Sequence, residues 1–102
     1  MYLIQLLLPL YDNDGRPFSR ALFAQVRNEF VARFGGMTAF TRAPADGLWQ
    51  EPGGNAVHDD LVVYEVMTES IEEEWWRGYR SELEQRFRQK SLVVRAQEIQ
   101  LL

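Results

Sequence analysis

Two apolar runs of seven residues set the frame: YLIQLLL at 2–8 and LVVYEVM at 61–67. Read with the two-residue period of a strand, Tyr2, Ile4, Leu6 and Leu8 share one face of the first run. Leu3, Gln5 and Leu7 share the other. In the second run Val62, Tyr64 and Val66 lie together, opposite Leu61, Val63, Glu65 and Met67. Strands that are apolar on both faces need cover on both, which an edge position does not give. Both runs are therefore expected at the centre of a sheet.

Each run is followed by a helical pattern. In DNDGRPFSRALFAQVRNEFVARFGG, Phe18, Leu22, Val26, Phe30 and Phe34 recur every fourth residue, with Phe23 and Val31 widening the stripe. Pro17 suits the first turn and Gly35 the residue beyond the last. After the second run, SIEE reads as a capping box with Ser70 as N-cap and Glu73 reaching back. Trp75, Tyr79, Leu83 and Phe87 form the apolar stripe, with Ile71 and Trp76 beside it. Glu73–Arg77, Glu82–Arg86 and Glu84–Arg88 are favourable i,i+4 pairs. Two weaker strands complete the set: half-polar Met37–Arg42 and the closing run Leu92–Leu101, both suited to an edge.

The order is thus β-α-β-β-α-β within 102 residues, the size of one domain. Right-handed crossovers put both helices on one face of the sheet. The expected fold class is α+β, a ferredoxin-like four-stranded antiparallel sheet with two helices on one face. That topology places the first and third strands centrally, as their apolar content requires. The helix face should carry Tyr2, Ile4, Leu6, Leu8, Val62, Tyr64 and Val66, a set without charge. The opposite face keeps Leu3, Leu7, Val63 and Met67, too apolar to meet water, so a second copy of the chain is expected to cover it.

Composition narrows the function classes. A formal net charge of −4 disfavours a general nucleic-acid or anionic-membrane partner. No cysteine is present, which removes disulfides, thiolate metal ligands and cysteine nucleophiles. The first apolar run has no basic flank and no small-residue cleavage site, and it is too short to span a bilayer. A cytoplasmic location is expected.

Few residues carry a chemical signal. His58 is the only histidine, and NAVHDD sets it beside Asp59 and Asp60. It reads either as a general base oriented by a carboxylate or as a solvated loop residue. One histidine and no cysteine give no metal site. DNDG lacks the alternating ligands and distal glutamate of a calcium loop and reads as a turn. Neither FGGMT nor PGGN precedes a helix as a phosphate loop would. No cofactor is called for. Trp49, on the Gly- and Pro-rich connection 43–59, reads as an interface anchor or lid, or else as a ligand contact. Trp75 and Tyr79 belong to the core stripe, whereas Trp76 is offset and suits a rim.

The remaining candidate is a polar line on the uncovered face. Gln5 and Glu65 point the same way on neighbouring strands, with Arg95 or Arg42 in reach from the flanking ones. A partly buried glutamate needs a partner. The line is either an ion pair inside a dimer interface or a polar pocket for a small apolar ligand.

The segment FGGMTAFTRAPADGLW, the apolar strand after it, and YRSELEQRFRQKSLVVRAQEI together resemble a family of small bacterial proteins of unknown function. The fold resembles the dimeric α+β barrel superfamily, whose open sheets pack face to face. The resemblance implies a homodimer and brings no catalytic residues. That superfamily also includes cofactor-independent monooxygenases and isomerase- or lyase-like enzymes. By that analogy the cleft between sheet and helices holds substrate, with His58, Tyr64, Glu65 and Arg42 as acid–base candidates.

Overall fold

The structure is a computed structural model and describes residues 1–42 and 60–102. The elements are β1 (Tyr2–Pro9), α1 (Arg20–Phe34), β2 (Thr38–Arg42), β3 (Leu61–Thr68), α2 (Glu73–Arg86) and β4 (Val93–Glu98). The sheet order is β2-β3-β1-β4, and every neighbouring pair is antiparallel. This is the α+β, ferredoxin-like arrangement that the element order implied. The two strands apolar on both faces, β1 and β3, are the central pair.

The core lies between sheet and helices. Ile4, Leu6 and Leu8 of β1 and Val62, Tyr64 and Val66 of β3 meet Val26 and Phe30 of α1 and Trp76, Tyr79 and Leu83 of α2. Phe30 is fully buried and packs edge-on against Tyr64 and Trp76. Aromatic side chains bury large areas, and their offset and edge contacts add to that burial. The expected set of helix-facing strand residues is the set found here, apart from Tyr2, which is only half-buried. Val31, placed on the α1 stripe by its spacing, is instead exposed.

The helix ends differ from the sequence reading in instructive ways. α1 begins later than Pro17 suggests: Ser19 is the N-cap, and its Oγ accepts from the Leu22 amide at 3.3 Å. A cap with a side-chain acceptor outweighs a proline with none. Before it, the Asp12 carboxylate accepts from the amides of Asp14 and Arg16, both at 2.9 Å, so DNDG is a turn closed by its own aspartate. α1 ends at Gly35, whose φ of 78° lets its N–H return to Val31 O at 2.8 Å.

α2 does not use the capping box. Its N-cap is Glu72, with no side-chain cap bond. The Ser70 carbonyl accepts from the Thr68 hydroxyl at 2.8 Å, and the Glu72 carboxylate pairs with Arg33 at the end of α1. A bond between helices thus stands where a local cap was expected. At the other end Arg88 turns into the left-handed region (φ 52°), so it leaves the helix line. The expected Glu84–Arg88 pair is absent. Glu84 accepts from the Leu92 amide at 2.9 Å, and Arg88 lies 3.8 Å from Asp12. The last strand is shorter than the expected run Leu92–Leu101: β4 covers Val93–Glu98, and Leu92 just ahead of it is buried in the core.

Candidate functional site

Strand register builds the face away from the helices. Gln5 sits opposite Glu65 on one side and Arg95 on the other, and Glu65 in turn sits opposite Thr38. Directly paired residues share a face. One polar row, Thr38–Glu65–Gln5–Arg95, therefore crosses all four strands. The next row along is Phe40–Val63–Leu7–Val93. On the other side lie Met67, Leu3 and Gln97. The polar row is thus bordered by apolar side chains on both sides, except at Gln97.

The row is hydrogen-bonded in sequence. Arg95 Nε donates to Gln5 Oε1 at 2.8 Å, and Gln5 Nε2 donates to Glu65 Oε1 at 2.7 Å. The amide works as a relay: its acceptor end takes the cation and its donor end takes the anion. The glutamate and the arginine are not paired directly. This arrangement links three long side chains on the face away from the two described helices. Strand alternation places Gln5, Glu65 and Arg95 on one face, and the structure joins the three in one bonded row.

Glu65 also lines a cavity of about 280 Å³ at the end of the row. Leu3, Met37 and Met67 form apolar walls, with Thr38 beside the carboxylate. The turn Gly35–Gly36 closes one end, because the left-handed cap of α1 directs the chain straight into β2. The register of Thr38 and the place of Met37 had no signal in the sequence. A connection as long as 43–59 fixes no register between β2 and β3.

The remaining candidates are dispersed. Tyr64 follows the alternation to the helix side, where it is buried and its hydroxyl donates to Phe23 O at 3.3 Å. Burial pushes its phenol above the ordinary value. It therefore does not meet Glu65, and the space between sheet and helices there is filled by side chains rather than open as a cleft. Trp76 is buried in the core, stacked on Phe34 at 5.5 Å, and does not occupy the rim its offset suggested. Trp75 is the less buried of the pair, with the Arg33 guanidinium 3.9 Å above its ring. Trp49 and His58 lie outside the described residues, as does the side chain of Arg42, whose backbone ends β2 opposite Leu61. Among the described residues no group of three or more His, Asp or Glu is placed to hold a metal ion, and no helix is long and apolar enough to cross a membrane.

No family model and no curated protein matches the chain. Among solved structures it is similar to a phage SAM lyase in complex with S-methyl-5'-thioadenosine. The two are 17% identical with a TM-score of 0.62, over 95% of this chain and 80% of that one. That neighbour is an enzyme. At this identity the likeness speaks for the small α+β fold alone.

Proposed function

We propose that the chain is a cytoplasmic homodimer of one-domain subunits that meet through the uncovered sheet face and bind a small molecule there. The observation that carries this reading is the ordered row Glu65–Gln5–Arg95 in an apolar surround. Phe40, Met67 and Val93 are 41%, 55% and 50% exposed on that face, and their burial against a second copy is favourable. A fixed polar row inside such a surface supplies orientation and specificity, as the few polar groups of a ligand site do. Sedimentation over a wide concentration range tests the assembly, with a particle near twice 11.9 kDa expected. A thermal-shift screen of metabolites tests the binding. A monomer at every concentration ends the first half of the reading, and a screen with no hit ends the second.

The likeness to the SAM lyase favours a second reading, a cofactor-independent enzyme. Glu65, with one oxygen held by Gln5 and the cavity at its side, is the group best placed for proton transfer or charge stabilisation. Incubating the purified protein with S-adenosylmethionine tests it. Release of S-methyl-5'-thioadenosine faster than in buffer, and lost in Glu65→Gln, supports catalysis; equal rates with and without protein exclude that substrate.

A further inference from the structure

We infer that the cavity beside Glu65 takes an organic cation with an apolar body, an alkylammonium or sulfonium group in particular. The inference rests on reading the uncovered face as a ligand-binding surface, and it names the chemical class of the ligand.

The charge balance comes first. Among the described residues Glu65 is the one charged side chain that lines the cavity, and it makes no ion pair with them. Among the described residues its one side-chain hydrogen bond comes from the neutral amide of Gln5, on Oε1. Arg95, the nearest cation along the row, donates to Gln5 rather than to Glu65. It stands two strands from Glu65, roughly 10 Å between strand axes. Among the described residues no donor bonds the second carboxylate oxygen, which faces whatever enters the cavity. A partly buried anion favours a cation there, repels another anion, and is left desolvated by a neutral ligand.

The walls then select which cation. A calcium ion takes six to eight oxygen ligands and a zinc ion about four, with histidine or cysteine favoured, and this cavity offers one carboxylate and one threonine hydroxyl. An alkylated onium group asks for less. Its charge is spread over methyl or methylene groups that pack on Leu3, Met37 and Met67, and thioether side chains adapt to such shapes. The volume of about 280 Å³ suits a compact ligand, or the cationic part of a larger one whose remainder lies between the two subunits.

The test uses the three methionines of the chain as reporters, since Met37 and Met67 line the cavity and Met1 does not. Protein labelled with carbon-13 at the methionine methyls is titrated with choline and, separately, with 3,3-dimethylbutan-1-ol, its uncharged isostere. Choline is expected to shift the Met37 and Met67 signals saturably while Met1 stays in place. The isostere is expected to bind at least tenfold more weakly. Glu65→Gln keeps the shape and the bond to Gln5 and should abolish the preference. Thr38→Lys, on the exposed edge strand opposite Glu65, supplies a tethered ammonium and should block choline without disturbing the fold. Equal affinity for both compounds overturns the cationic class and leaves the ligand-binding reading standing. Silence of both methyls toward both compounds overturns the inference; the ligand-binding reading then falls only if the metabolite screen is also empty.

Discussion

Glu29 on α1 and Arg86 on α2 meet as a two-pronged ion pair, with both nitrogen–oxygen distances at 2.7 Å. Tyr79 donates to the same carboxylate at 2.8 Å, and the Arg86 Nη2 that bonds Glu29 also donates to Glu82 at 2.7 Å. The Arg86 hydrogen bonds, opposed by partial burial and helped by Tyr79, hold the Glu29 carboxyl below its ordinary value of 4.5. Arg86 and Tyr79 both shift upward, Arg86 chiefly through its bond to Glu29 and Tyr79 chiefly through burial. A depressed carboxyl contributes stability above its unfolded value and loses that contribution as pH falls through its folded value. Glu29→Gln should therefore destabilise at neutral pH by about 1 kcal/mol, a modest figure because the carboxylate is partly solvated. The difference from the parent should shrink as pH falls below 4.5 and through the lowered folded value. Urea midpoints followed from neutral into acid pH check both statements.

Three glycines should respond differently to alanine. Gly35 has φ of 78° with open space around its missing Cβ, so Gly35→Ala meets backbone strain alone and should cost about 1 kcal/mol. Gly36 has neither a positive φ nor a close neighbour, and Gly36→Ala should stay within about 0.5 kcal/mol of the parent. Gly78 lies inside α2 with nothing near its Cβ position, so Gly78→Ala should stabilise by roughly 0.5–1 kcal/mol through helix propensity. Thermal midpoints of the three variants, ranked in that order, would be reversed only if the backbone at Gly35 or Gly78 differs from that described.

The adjacent tryptophans should also separate. Trp76 touches Phe30, Phe34 and Tyr79 within the core, and Trp76→Ala should cost about 3–5 kcal/mol. Trp75 stacks on Tyr79 under the Arg33 guanidinium but keeps part of its surface in water. Trp75→Ala should cost about half as much, on the order of 2 kcal/mol. A chain of this size shifts its midpoint by about 4–8 °C per kcal/mol, so calorimetry resolves the pair easily. Equal losses would mean that the two rings share the core alike.

What the sequence made legible follows from range. Residues 2–8 and 61–67 announce central strands because burial on both faces leaves a mark on every residue. The meeting of Gln5, Glu65 and Arg95 was legible for the same reason, since strand parity fixes which way a side chain points. The features that stayed hidden depend on partners far along the chain. Nothing near Ser70 reveals that Arg33 will hold Glu72 and move the start of α2. Nothing near Trp76 reveals that Phe34 will stack on it, so spacing alone put the wrong tryptophan at the rim. The Thr38–Glu65 register, which shapes the cavity, is set by pairing across the long connection rather than by any local turn.

The uncovered face yields the sharpest prediction about assembly. Val93 ends the apolar row on β4, half exposed, beside Leu7 and away from the helices. In an isolated subunit a lysine there reaches water, and Val93→Lys should change stability by no more than about 0.5 kcal/mol. In a dimer closed over the same row, two symmetry-related ammonium groups enter an apolar contact. Each would need desolvation without a partner, on the order of 3 kcal/mol for the pair of copies, or roughly a hundredfold in dimer dissociation constant. Sedimentation of the variant beside the parent reads this directly. The expected result is a dimer that becomes a monomer while its thermal midpoint at high dilution is unchanged. A variant that sediments as the parent does at every concentration would show that Val93 lies outside any interface, and the face-to-face arrangement would be wrong.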